Sequence, residues 1–236
     1  MNELIKKLKE FKGVANEVSK SVEDKIADLE KQFMNLATYM IYEGHFHCSN
    51  RYDLYITSIE FYYHEENENI DNRIIDPIMY HRNKKWKSKK DKYAPEYFEI
   101  GTLYPHQSGI DITFEKEYDY RASALIRSFE IHHGDKIIRQ ETDLSTYVYD
   151  YLFDGFTVGG SKLQWEPNLS DISGVPNKHL RKNVNRHRSI KEVESEGLMI
   201  GKDYSIIDAE YVKMLNERDN KYWRFVKVNG KFDKEY

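Results

Sequence analysis

Apolar positions in residues 1–43 recur every three or four places. Val18, Val22, Ile26, Leu29, Phe33 and Leu36 form one stripe between charged faces, the period of an amphipathic helix. Gly13 marks a break or kink. The stripe lasts fewer than three heptads, so it predicts a helix packed on the body of the domain rather than a coiled coil. From Gly44 to about Glu130 the period changes to that of strands and turns. Strands are expected near 53–65, 97–104, 109–115 and 122–131. Between the first two lies a polar loop, 66–95, with Asp76-Pro77 and the basic run Lys84-Lys-Trp-Lys-Ser-Lys-Lys90.

Residues 135–165 read as mixed, with an aromatic segment Tyr147–Phe153 and a turn at Gly159-Gly160. Residues 176–196 read as a basic helix carrying Lys178, His179, Arg181, Lys182, Arg186, His187 and Arg188. A short strand at 198–201, a helix at 207–219 and a last strand at 221–228 follow, closed by the turn signal Asn229-Gly230. There is no internal repeat and no Pro-, Gly- or Ser-rich linker. The pattern predicts a single α+β domain, 44–236, around a curved antiparallel sheet, with a helical N-terminal extension, 1–43.

The alternation is sharpest in Ser58-Ile-Glu-Phe-Tyr-Tyr-His-Glu65. Glu60, Tyr62 and His64 fall on one face and Ile59, Phe61 and Tyr63 on the other. A carboxylate held among aromatic rings suits a general base, since burial tunes its pKa upward. The same pattern also describes a solvated strand face beside an acidic turn.

Composition narrows the partners. The 236 residues are 39% apolar and 14% aromatic, with 19 Tyr and 11 Phe, enough for a core and a half-wet sheet. Charged residues make up 32%, both signs mixed, and the net charge is −4. Global charge therefore gives no support for a nucleic-acid or anionic-membrane partner, and any such contact must use a local patch. The basic run, with Trp86 to stack on a base, and the basic stretch 178–188 are the two candidates. The single cysteine, Cys48, excludes an internal disulfide and fits a reducing cytoplasm. Met1 leads into Lys and Glu without an apolar run, and no stretch approaches a membrane span. A soluble cytoplasmic protein is expected.

Familiar catalytic motifs are few. His45-Phe-His-Cys48 puts two imidazoles on one strand face and could recruit Glu60 or His64 around a metal. No second spaced ligand pair supports it, and a pair of hydrogen-bonded histidines is the plainer reading. His132-His133 beside Gly134 reads as a strand end. Nothing places a base beside Cys48. Gly155, Gly159 and Gly160 lack the Lys-Ser/Thr ending of a phosphate loop, and no Gly-x-Ser-x-Gly elbow occurs.

Five segments in order carry a resemblance. They are Ile59-Glu-Phe-Tyr62, Asp76-Pro-Ile-Met-Tyr-His81, Gly101-Thr-Leu-Tyr104, Ala124-Leu-Ile-Arg-Ser-Phe-Glu130 and Trp223-Arg-Phe-Val226. Together, over about residues 54–228, they resemble blocks of the alkyladenine (3-methyladenine) DNA glycosylase family. That resemblance implies hydrolysis of the N-glycosidic bond of a modified base flipped from duplex DNA, as in base excision repair. It implies Glu60 as the base that activates water and Tyr62 as the platform for the flipped base. His81 would contact the base or its sugar-phosphate, and Tyr104 would line the pocket. Arg127 would hold the water or a phosphate beside Glu60. No metal or organic cofactor is expected. Arg127 in an otherwise apolar strand also needs an anion on elementary grounds; Glu60 is the first partner to consider and Glu130 the alternative.

The chain departs from that family pattern in places. The second pocket tyrosine is replaced by His106. The wedge tyrosine before a glycine is replaced by Ser108-Gly109. The position of the base-recognising Asn falls on Glu115, and Asp111 is an extra acid. His106 and Asp111 would then shape a pocket for another modified base, a nucleoside or a nucleotide. On the DNA reading, Lys84, Lys85, Trp86, Lys87, Lys182, Arg186 and Arg188 would meet the backbone. Two further readings stand beside it: a metal-dependent hydrolase or nuclease using His45, His47, Glu60 and His64, and a non-catalytic nucleic-acid-binding module. The oligomeric state is open.

Overall fold

The computed structural model describes residues 1–48, 51–67, 69–76, 79, 97–106, 109–141, 163–168, 174–181 and 221–228, the side chains of His106 and Glu141 excepted. It is an α+β fold, with N-terminal helices packed on an open antiparallel sheet. Helix α1 spans Asn2–Leu8 and α2 spans Val22–Thr38, running on into a π-helical turn, Tyr39–Glu43. The Ser21 hydroxyl caps α2 by accepting from the Asp24 N–H at 3.1 Å. The expected stripe holds from Val22 onward. Val18 is exposed, because the chain between the helices is irregular and the cap at Ser21 starts the helix after it. Gly13 breaks the helical segment as expected. Its φ is +64°, and a Cβ there would sit 2.6 Å from the Tyr120 ring.

The strands are β1 (Gly44–Cys48), β2 (Tyr52–Glu65), β3 (Leu103–His106), β4 (Gly109–Thr113), β5 (Tyr120–His133), β6 (Lys136–Glu141), β7 (Leu163–Pro167), β8 (Asn177–His179) and β9 (Arg224–Val226). The main order is β3-β4-β5-β2-β1-β7; β6 joins β5, β9 joins β2, and β8 joins β9. Residues 177–179 are thus strand, against the helix expected over 176–196. Their backbone pairs with β9, and that tertiary pairing overrides local helical preference. Residues 182–196, 198–201 and 207–219 lie outside the described residues.

Strands β2 and β5 pair along nearly their whole length. The core-facing residues of β2 are Leu54 and Ile56, then Ile59, Phe61 and Tyr63; those of β5 are Ala122, Ala124 and Ile126, then Phe129 and Ile131. In each strand one step is three residues instead of two, at 56–59 and at 126–129. A regular strand would send the two halves to opposite faces. Instead the ladder is irregular there, skipping Thr57 on one strand and Arg127 on the other. Both strands change phase together, so the apolar residues stay on one face and the register is recovered.

That face packs on the helices. Phe33 of α2 stacks on Phe61 at 4.6 Å and meets the edge of Trp223 at 5.2 Å. Phe11 meets Phe114 edge-on at 4.9 Å. Each fully buried ring of this kind contributes roughly 1.5–3 kcal/mol of hydrophobic free energy. An ion pair enters this interface: the buried Lys25 ammonium bonds the buried Glu65 carboxylate at 3.0 Å. It ties α2 to the end of β2.

Two consequences can be measured. Lys25→Met strands the Glu65 carboxylate and should cost about 3–5 kcal/mol in urea unfolding, whereas Lys25→Met with Glu65→Leu should recover most of it. Alkaline stability follows the buried phenols. Burial pushes Tyr120 up to about 12, and Tyr63 is raised as well. Unfolded tyrosines ionise near 10, so this contribution is intact below about pH 10 and lost as pH rises toward 12. Thermal melts from pH 8 to 12 should fall in that window, and Tyr120→Phe should flatten the fall.

Candidate active site

The second face of β2, β5 and neighbouring β4 is rich in polar groups and yet buried. Glu60, His64, Asp111, Arg121, Ser123 and Arg127 are all buried. Buried charge is costly unless paired, so this face must be organised by partners. At its centre, Arg127 Nη2 donates to Glu60 Oε1 at 2.9 Å and lies 3.4 Å from the Tyr62 hydroxyl. The Tyr62 hydroxyl donates to the same Glu60 oxygen. The bulge explains how Arg127 gets there. It is the residue the β5 ladder skips, so its side chain leaves the register and turns to Glu60, whose direct cross-strand neighbour is Leu125. Glu130, the other partner considered for Arg127, instead accepts from Gln140 at 2.9 Å and lies 3.1 Å from His132.

Electrostatics within the trio are one-sided. Burial pushes the Tyr62 phenol well above its usual value, and the Glu60 charge adds to the shift. Tyr62 is therefore a permanent neutral donor. Burial alone would weaken the Arg127 charge, but the Tyr62 and Glu60 groups outweigh it and hold its pKa above the ordinary value. The result is a carboxylate aligned by two donors on one oxygen.

The wall next to this trio comes from two other segments. Met79 packs with Tyr62 and Leu125 as a small apolar cluster. Arg181 places its guanidinium carbon 5.1 Å from the Tyr62 ring centre and 5.1 Å from that of Trp223. Its Nη1 donates to Asp76 at 2.6 Å, and the Tyr63 N–H lies 3.3 Å from the same Asp76 oxygen. The Asp76 N–H in turn donates to His64 Nδ1 at 3.1 Å. Arg181 and Asp76 were not singled out as site residues by sequence. Arg181 looked like one charge in a basic stretch and Asp76 like loop punctuation, and only their burial distinguishes them.

Other expected residues sit elsewhere. Tyr104, Asp111, Leu125, Glu60 and Arg224 are consecutive cross-strand neighbours on β3, β4, β5, β2 and β9. Tyr104 is thus three strands from Glu60, roughly 14 Å at ordinary strand spacing. It is outside the trio, against the expectation that it lines the same pocket, because β4 and β5 intervene. Asp111 lies between them and accepts from the Ser123 hydroxyl at 3.1 Å. Glu115 is bound to Arg121 at 3.2 Å and to the Phe98 N–H at 3.0 Å, so it braces the sheet end. His64 is engaged with Asp76, and Glu60 with Arg127. Neither joins His45 and His47, which lie with Asp53 at the far end of β2, so the expected four-residue metal set does not assemble. His81, Lys84, Lys85, Trp86, Lys87, Lys182, Arg186, Arg188 and the His106 side chain lie outside the described residues.

Compared with protein-family models, curated proteins and solved structures, the chain matches none. Among the described residues, no helix is long and apolar enough to cross a membrane.

The trio makes a stability ranking. Arg127→Met leaves a buried carboxylate without its cation and should cost about 3–5 kcal/mol. Tyr62→Phe removes one donor and should cost about 1–3 kcal/mol. Urea unfolding of both variants checks the order; equal losses would mean that the ion pair is not what organises this face.

Proposed function

We propose that this protein hydrolyses an N-glycosidic bond, releasing a modified base flipped from duplex DNA in the cytoplasm, with Glu60 as the group that activates water. The observation that carries the reading is convergence. Segments far apart in the chain, each part of the ordered glycosylase-like pattern, meet around Glu60 and Tyr62. Glu60 and Tyr62 come from β2, Met79 from the acidic Pro-containing segment and Arg127 from β5. Arg224 of the closing Arg-Phe strand lies directly across from Glu60.

The chemistry suits that arrangement. The water oxygen bonds to the anomeric carbon, its proton passes to Glu60, and the carbon–nitrogen bonding pair leaves with the base. Glu60 also faces the positive charge that develops on the sugar. Arg127 Nε is buried with no hydrogen-bond partner among the described residues, and it can hold the water or a sugar oxygen. Tyr62 supplies the aromatic platform. A flipped base would reach that ring only by displacing the Arg181 guanidinium that now covers it and is held by Asp76. Lys84, Lys85, Trp86, Lys87, Lys182, Arg186 and Arg188 would hold the duplex. His81, His106 and Asp111 would extend the pocket toward the base.

Glu60→Gln keeps the oxygen that Tyr62 and Arg127 donate to but removes the Arg127 counterion, so circular dichroism and a thermal melt of the variant accompany the assay to show that it is folded. Incubation with genomic and phage DNA of varied modification, followed by mass spectrometry of free bases, should show release by the parent protein. The variant should be slower by at least ~10²-fold. Equal release by the variant, or no released base from any of these DNAs, would sink the reading.

A further inference from the structure

The end of the sheet opposite Glu60 carries a second cluster. His45 and His47 share one face of β1, and β1 lies between β2 and β7. The β2 neighbour of His47 is Asp53, and the β7 neighbour of His45 is Glu166. One ring nitrogen of each histidine and one carboxylate oxygen of Glu166 lie within 4.8 Å of one another.

Hydrogen bonds fix what the two rings can offer. Asn168 donates its side-chain amide N–H to the Tyr42 carbonyl at 2.7 Å, which turns its oxygen toward His45. That oxygen lies 2.8 Å from His45 Nδ1, so Nδ1 is the donor and Nε2 is the nitrogen left to offer a metal. Asp53 Oδ1 lies 2.6 Å from His47 Nδ1. A carboxylate only accepts, so Nδ1 is again the donor and Nε2 the nitrogen left to offer a metal. Acceptors behind both imidazoles, each orienting its ring, are the usual outer shell of metal-binding histidines. His45 is further clamped by the Tyr55 ring at 4.6 Å and is buried. The cluster opens through His47 to a cleft of about 260 Å³ lined by Arg51, Tyr52, Asp53, His133 and Gly134.

We propose that His45, His47 and Glu166 form a site for a divalent transition metal of the zinc type. Asp53 and Asn168 orient the two imidazoles, and the fourth position faces the cleft. Two imidazoles and one carboxylate are a zinc ligand set. At metal–ligand distances near 2.1 Å, tetrahedral ligand atoms stand roughly 3.4 Å apart, so the three groups need to close by about an ångström. Asp53 Oδ1, 3.6 Å from His45 Nε2, can follow that closure. The site is independent of Glu60. Asp53 and Glu60 are seven residues apart on one strand, on the order of 20 Å.

The test is titration of Zn²⁺ into the chelator-stripped full chain by calorimetry, with thermal melting alongside. One equivalent should bind with micromolar or tighter affinity and raise the melting temperature. Glu166→Gln and His47→Gln should each weaken binding at least tenfold, and Asp53→Asn by 10–100-fold. His133→Ala, which alters the cleft but not the ligand set, and Glu60→Gln should bind like the parent. Absence of saturable one-to-one binding by the parent would overturn the proposal. So would undiminished binding by Glu166→Gln, a partly exposed position whose change leaves the fold intact.

Discussion

The ladder between β2 and β5 is the constraint on which the rest of the molecule depends. Every other described strand attaches to one of these two or to a strand that does. β1 and β9 sit on the free side of β2, and β4 and β6 on that of β5. The ladder survives its own phase change because Thr57 and Arg127 are both skipped at the same level. Had only one strand carried the irregularity, half of its apolar residues would have faced away from α2.

The same irregularity makes the second face what it is. It frees Arg127 from the register, and Arg127 meets a carboxylate that the strand has already buried. Around that pair the protein satisfies further charge in the same way, with Arg181 on Asp76 and Arg121 on Glu115 and Glu66. Such pairs add little net stability, because desolvation offsets most of the attraction. What they do is hold side chains in one arrangement. A sheet built only for stability would place apolar residues there. A carboxylate aligned by an arginine and a phenol is an arrangement suited to stabilising positive charge nearby.

Sequence pattern reached the parts governed by local period. The alternation of Ile59, Phe61 and Tyr63 against Glu60, Tyr62 and His64 identifies β2 and its two faces, and the stripe from Val22 to Leu36 identifies α2. The need of Arg127 for an anion pointed to Glu60. Long-range pairing was beyond reach. Asn177–His179 is a strand only because β9 lies beside it. Glu166 comes to His45 from far along the chain, so no spacing rule announces it. Arg181 and Lys178 look alike in sequence. In the fold Arg181 is buried on Asp76, while Lys178 is exposed beside Glu30 at 2.9 Å. Tyr104 matched a motif in order but not in place, since β4 and β5 stand between it and Glu60.

The central claim is that Glu60 faces positive charge on a sugar. It is tested most directly by affinity for two duplexes that differ only at one abasic position, one bearing a neutral tetrahydrofuran and the other a cationic pyrrolidine. A site complementary to the transition state should bind the cationic duplex at least ~10-fold more tightly, and Glu60→Gln should abolish that preference. Equal affinity of the parent protein for both duplexes would contradict the account.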